Sequence, residues 1–156
     1  MTPSYLGNMD LLQQPKIAYF CSRNYAPKAV LASYDWATAH RDNVIISTFH
    51  SPLEKDVLHF LLKNHQPVIY VLPARMYKRI PKNLQDAMNE QRLLLISFQS
   101  ENIRMYSQEH SNQAIRYVLE TANEIVFGYI APDSNNARLS ESLRTSGEKK
   151  ISILVE

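Results

Sequence analysis

Glycine is scarce in this chain. Only Gly7, Gly128 and Gly147 occur in 156 residues, far below the usual share of about 7%. A GxGxxG dinucleotide loop and a GxxxxGK[ST] phosphate loop each need closely spaced glycines, so neither can form. Nicotinamide-type dehydrogenases and P-loop nucleotide hydrolases are thereby excluded. Cysteine is nearly absent as well. The single Cys21 rules out a disulfide framework and a cysteine zinc site. The five histidines show no metal-ligand spacing, so no metal is expected. A strong charge of one sign is also missing: 17 basic residues face 15 acidic ones, for a net charge of +2. Any nucleic-acid contact must therefore come from a local patch rather than from a global field. No apolar run approaches the ~20 residues of a membrane-spanning helix. Residues 1–14 carry neither the basic flank nor the apolar centre of an export signal, so the expected location is the cytoplasm.

What is present is an ordinary globular balance, 45% hydrophobic and 21% charged. A chain of this size buries roughly two-thirds of its unfolded surface, enough for a real core. Residues 1–15 read as a loosely held arm ending at Pro15, and residues 16–156 as a single domain. Within the domain, short apolar runs lie at 17–21, 44–49, 68–72, 93–98, 125–130 and 151–155. They are continuous rather than alternating, as strands covered on both faces should be. Helical spacing fills the intervals. Pro27 suits a first helical position before Val30, Leu31 and Tyr34. Ser51-Pro52-Leu53-Glu54 combines a cap, a first-turn proline and a capping-box glutamate. Further helices are expected over about 81–90, 108–122 and 136–145. Six strands separated by five helices predict a three-layer, Rossmann-like α/β fold. Its six-stranded sheet is mostly parallel, with helices on both faces. Ligands of such folds bind outside the carboxyl ends of the strands, where strand order reverses. That rule selects the loops 22–26, 49–54, 73–82, 99–108 and 131–136.

Three of these loops carry candidate chemistry. Ser22, Arg23 and Asn24 stand before a helix start, where backbone N–H groups favour an anion and a guanidinium can clamp phosphate. The competing reading is that Ser22 and Asn24 only cap the turn and Arg23 is solvated. His50 and Ser51 precede the second helix start, a second anion site or a purely structural cap. Arg75, Tyr77, Lys78 and Arg79 form the main basic run. A tyrosine among cations suits a single strand of nucleic acid, with charge along the phosphates and a ring against a base. The plain alternative is a solvated surface loop. A thiolate–imidazole pair of Cys21 and His50 is geometrically conceivable, but a strand-end cysteine is usually inert packing. No catalytic set emerges.

At these loops the sequence resembles the Rossmann domain of the DprA/Smf DNA-processing family, in the wider group that includes the Lonely Guy nucleotide hydrolases. Four stretches carry the likeness, over about residues 16–135. The first is Cys21-Ser22-Arg23-Asn24 after the first apolar run, similar to the family's glycine-serine-arginine. The second runs from Val44 through Phe49-His50-Ser51-Pro52-Leu53-Glu54-Lys55. The third is Gln66-Pro67-Val68-Ile69-Tyr70-Val71-Leu72-Pro73-Ala74-Arg75, followed by Leu93-Leu94-Leu95-Ile96-Ser97. The fourth is Asn112 and Arg116 ahead of Ala122-Asn123-Glu124-Ile125-Val126-Phe127. The resemblance implies a domain that binds single-stranded DNA, often as a homodimer, without metal; no cofactor and no turnover are expected. It places phosphate contact on Ser22 and Arg23, with Asn112 and Arg116 closing one side. The pattern departs from the family at Cys21, at Ser47-Thr48 and at Ser111, where the family has glycine, glycines and arginine. The glycine-rich loop and catalytic glutamate of the Lonely Guy enzymes have no counterpart. Three functional readings stand: single-stranded DNA binding, a small-nucleotide sensor, and nucleoside monophosphate hydrolysis.

Overall fold

The six apolar runs form six mutually parallel strands. The structure, a computed structural model, describes residues 3–99 and 107–156. Its elements are β1 (Ser4–Gly7), β2 (Lys16–Phe20), α1 (Lys28–Ala39), β3 (Val44–Ser47), α2 (Pro52–Lys63), β4 (Val68–Arg75), α3 (Lys82–Asn89), β5 (Leu93–Gln99), α4 (Gln108–Thr121), β6 (Glu124–Tyr129), α5 (Asn135–Ser146) and β7 (Lys150–Val155). A single 3-10 turn spans Met9–Gln13. Strand order is β1-β5-β4-β3-β2-β6-β7. Strands β2 to β7 pair in parallel.

Alternate residues of each strand feed two cores, as a period of two requires. Tyr19, Ile45, Leu93, Leu95 and Val126 join α1, α2 and α3 on one face. Ala18, Phe20, Ile46, Ile69, Val71 and Phe127 join α4 and α5 on the other. Burial on both faces explains the unbroken apolar runs. Close packing also explains one glycine. A Cβ at Gly128 would lie 2.5 Å from Tyr19 Oη and 2.9 Å from Ser33 Oγ, two atoms that share a buried hydrogen bond of 2.8 Å.

The N-terminal segment departs from expectation. Instead of hanging as a loose arm, β1 adds a seventh strand, antiparallel to β5, with Ser4 opposite Ser97 and Gly7 opposite Leu94. Gly7 takes φ +119°, and a Cβ there would sit 2.2 Å from Leu93 O, so only glycine fits this approach. Lys16 Nζ then donates to Leu12 O and Gln14 O at 2.8 Å each, fastening the segment. Strand β4 is also longer than its apolar core. It continues through a register irregularity to Arg75, which pairs with Gln99.

From β2 the chain steps outward through β3 and β4 to β5. Helix α4 then carries it back to the far side of β2, where β6 begins. Strand order therefore reverses between β2 and β6, and a crevice opens at their carboxyl ends. Among the described residues, no helix is long and apolar enough to cross a membrane.

Candidate ligand-binding crevice

The crevice encloses about 400 Å³ and is lined from five elements. Residues 20–23 contribute from the end of β2, and Thr48, His50 and Ser51 from the end of β3. Glu54 contributes from α2. Gln108, Ser111 and Ile115 of α4 and residues 134–136 at the start of α5 complete the walls. The starts of three helices thus meet at one cleft, and each presents first-turn N–H groups that have no intrahelical acceptor.

The β3 turn is tightly determined. Ser47 Oγ donates to Tyr19 O at 2.7 Å and accepts from Phe49 N at 3.1 Å. Phe49 adopts φ 44°, a left-handed conformation that is uncommon for a bulky side chain. Its fully buried ring meets Tyr70 edge-on, with centroids 5.4 Å apart. The sharp turn aims the following amides at Glu54. Glu54 Oε1 accepts from His50 N at 2.8 Å and from Ser51 N at 3.3 Å, while Oε2 accepts from Cys21 N at 3.0 Å. The glutamate therefore does more than complete the capping box of α2. It is an internal carboxyl group that joins the β2 and β3 turns. Burial pushes its pKa up, and the three amide donors pull in the opposite direction.

The β2 turn is tied to β6 in the same manner. Ser22 N donates to Tyr129 O at 3.0 Å, and Ser22 Oγ accepts from Ala131 N at 2.9 Å. Ser134 Oγ stands 3.4 Å from Ser22 Oγ, donates to Ala131 O at 2.7 Å and caps α5 by accepting from Ala137 N at 3.1 Å. Arg23 is exposed at the mouth. Burial lowers the His50 pKa, with the charges of Lys55 and Arg23 adding to the effect, so the neutral imidazole is favoured. Cys21 is buried, and its thiol is pushed up to about 12, chiefly by burial and then by Glu54. It stays protonated at neutral pH, which removes the thiolate–imidazole pair.

The structure thus gathers Ser22, Arg23, His50 and Ser51 in one cleft. Asn24 is exposed on the β2–α1 loop and does not line it. Asn112 and Arg116 sit on an outer face of α4 and line a separate groove with Glu109 and Leu139. Lys78 and Arg79 are exposed beyond β4, and Arg75 is half-buried within it. Tyr77 is half-buried against the core, together with Met76 and Ile80, and its hydroxyl meets that of Tyr70. Its ring is packing material as much as a surface face. Residues 100–106 of the loop ahead of α4 lie outside the described residues. Sequence reasoning named the 131–136 loop but placed no ligand contact in it, although Ser134 followed by two asparagines has the form of a helix cap. Thr48 and Ser111 were marked in the sequence only as departures from the family pattern, and Gln108 carried no signal beyond its place at a helix start.

Fold and crevice together define a Rossmann-like domain with its cleft at the topological switch point. More particularly, the chain has the fold of DprA. It is similar to DNA processing protein A from Streptococcus pneumoniae, with a TM-score of 0.78 and 18% identity over 97% of this chain and 54% of that one. DNA processing protein A from Helicobacter pylori, described for its single-stranded DNA binding mode, is similar at a TM-score of 0.71 and 17% identity, covering 96% of this chain and 80% of that one. The chain therefore spans about half the length of the first and most of the second. No protein-family model matches the sequence, and no curated protein matches it.

Proposed function

We propose that this domain binds single-stranded DNA in the switch-point crevice and serves DNA processing without chemical turnover. The observation that carries the reading is the convergence of the α4 and α5 starts on one cleft, facing the closed start of α2, with Arg23 at its mouth. Helix starts and a guanidinium are two common ways to hold a phosphate. The single-stranded DNA binding of the Helicobacter pylori protein supports the same ligand. Lys78 and Arg79 extend the positive track outside the cleft, and a homodimer doubles it.

A second reading has its own support. A cleft of about 400 Å³ is the size of a small-molecule site. In that case the domain is a nucleotide sensor. Fluorescence anisotropy of a labelled oligothymidylate, titrated at low and at physiological salt, separates the two. Strand binding strengthens with length and weakens steeply with salt, by a slope of about −0.7 per phosphate neutralised. A sensor binds a mononucleotide as well as a strand, with a shallow slope. Absence of binding to either probe at low salt overturns both.

A further inference from the structure

Buried serine hydroxyls beneath the sheet ends have partners. Ser47 is held at both lone pair and proton, and Ser97 repeats the device by donating to Ala74 O at 2.6 Å and accepting from Gln99 N at 3.2 Å. Ser33 pairs with Tyr19, and Ser140 donates to Ala137 O at 3.0 Å. The crevice holds the exceptions: Ser51 Oγ at the start of α2 is buried with no hydrogen-bond partner among the described residues, and two further residues break the pattern. Thr48 is 3% exposed and Ser111 is 5% exposed. Both line the crevice, and neither hydroxyl hydrogen-bonds any described residue. They come from different walls, the end of β3 and the first turns of α4.

The surroundings say what would satisfy them. Gln108 begins α4, whose cap Ser107 accepts from His110 N at 3.2 Å, and Asn135 begins α5. Their first-turn amides point outward without intrahelical acceptors. Among the described residues, the one carboxylate lining the crevice, Glu54, already accepts from three backbone amides. Hydroxyl and first-turn amide donors therefore line the crevice beside a carboxylate whose oxygens are already taken. The complementary group is one with several acceptor oxygens and no donors, which is a phosphate.

The geometry points to Thr48 and Ser111 as ligand-contacting residues, two hydroxyl donors that hold the phosphate of a single nucleotide unit between the starts of α4 and α5. This rests on the reading that the crevice takes a nucleotide-bearing ligand, and it adds the residues that seat the phosphate. The nucleotide belongs either to a strand or to a free mononucleotide, since both present the same group.

The test uses the full chain with Thr48→Val, Thr48→Ser and Ser111→Ala. A labelled oligothymidylate is the probe, thymidine 5′-monophosphate and thymidine are competitors, and thermal unfolding is followed in parallel. Thr48→Val and Ser111→Ala should each weaken binding about tenfold, or ~1.4 kcal/mol. Their melting temperatures should hold or rise, because an unpartnered hydroxyl is being replaced by an apolar group. Thr48→Ser should retain binding. The monophosphate should compete where thymidine does not, and its efficacy relative to the strand identifies the source of the phosphate. Wild-type affinity in both apolar variants overturns the assignment, as does a fall in melting temperature in both, which marks the hydroxyls as structural. Failure of the wild-type chain to bind either probe overturns instead the reading on which the assignment rests.

Discussion

The two sides of the crevice are built from the same kinds of groups and are finished differently. On the β3–α2 side the backbone donors of the turns are spent: the amide of Phe49 ends on Ser47, and those of Cys21, His50 and Ser51 end on Glu54. On the α4–α5 side, Ser111 has no partner among the described residues, and the helix starts carry only their serine caps. The difference shows that a helix start is not by itself a ligand site. At α2 the protein supplies its own acceptor, the Glu54 carboxyl group. At α4 and α5 it leaves the place open.

The comparison is most sharply tested at Glu54. Glu54→Ala strands three amides without an acceptor and should cost about 3 kcal/mol of stability, read by urea unfolding. A variant within ~0.5 kcal/mol of wild type would show that water replaces the carboxylate and that the closed side is not closed. The pH dependence adds a sign. A raised folded pKa favours the protonated form on folding. That contribution is fully present below the ordinary value of 4.5 and is lost as pH rises through the raised value. The stability of wild type relative to Glu54→Gln should therefore decline from pH 4 upward.

Ser47→Ala should come next, at about 1–2 kcal/mol, because it orphans the Phe49 amide and the Tyr19 carbonyl. Thr48→Val, one residue on, should cost nothing, and equal losses at both positions would erase the distinction between spent and open hydroxyls. Arg23→Ala should leave unfolding unchanged, since the side chain is exposed, while lowering oligonucleotide affinity about tenfold. The smallest effect belongs to the double variant Lys78→Ala, Arg79→Ala. Low-salt affinity should fall slightly, and the salt slope should shrink by about 0.7 for each phosphate no longer neutralised. An unchanged slope would remove the segment beyond β4 from the binding track.

Much of the fold was legible because buried parallel strands leave a local trace. The six apolar runs match β2 to β7, and Ser51-Pro52-Leu53-Glu54 marked the start of α2 to the residue. β1 left no such trace. Its four residues are all exposed, and its partner is β5, far along the chain. The site was legible in half. Strand-end position and the family resemblance together picked out Ser22, Arg23, His50 and Ser51, which line the candidate crevice. Nothing local could show that Glu54 reaches Cys21, 33 residues away, or that Ser111 faces the cleft rather than its own helix. Tyr77 shows how far a local pattern reaches. An aromatic among cations has the pattern of a stacking platform, yet here the backbone turns the ring onto the core beside Tyr70.

The bond from Ala131 N to Ser22 Oγ joins residues 109 apart in sequence. The crevice is thus absent from any partly folded form that lacks the β2–β6 pairing, however much of the β2–β5 half has formed. Binding is then a readout of completed folding. A ligand held there would raise the free energy of global unfolding by mass action. It should slow hydrogen exchange at β2 and β6 together rather than protect one loop. Occupancy in this domain is a property of the whole chain.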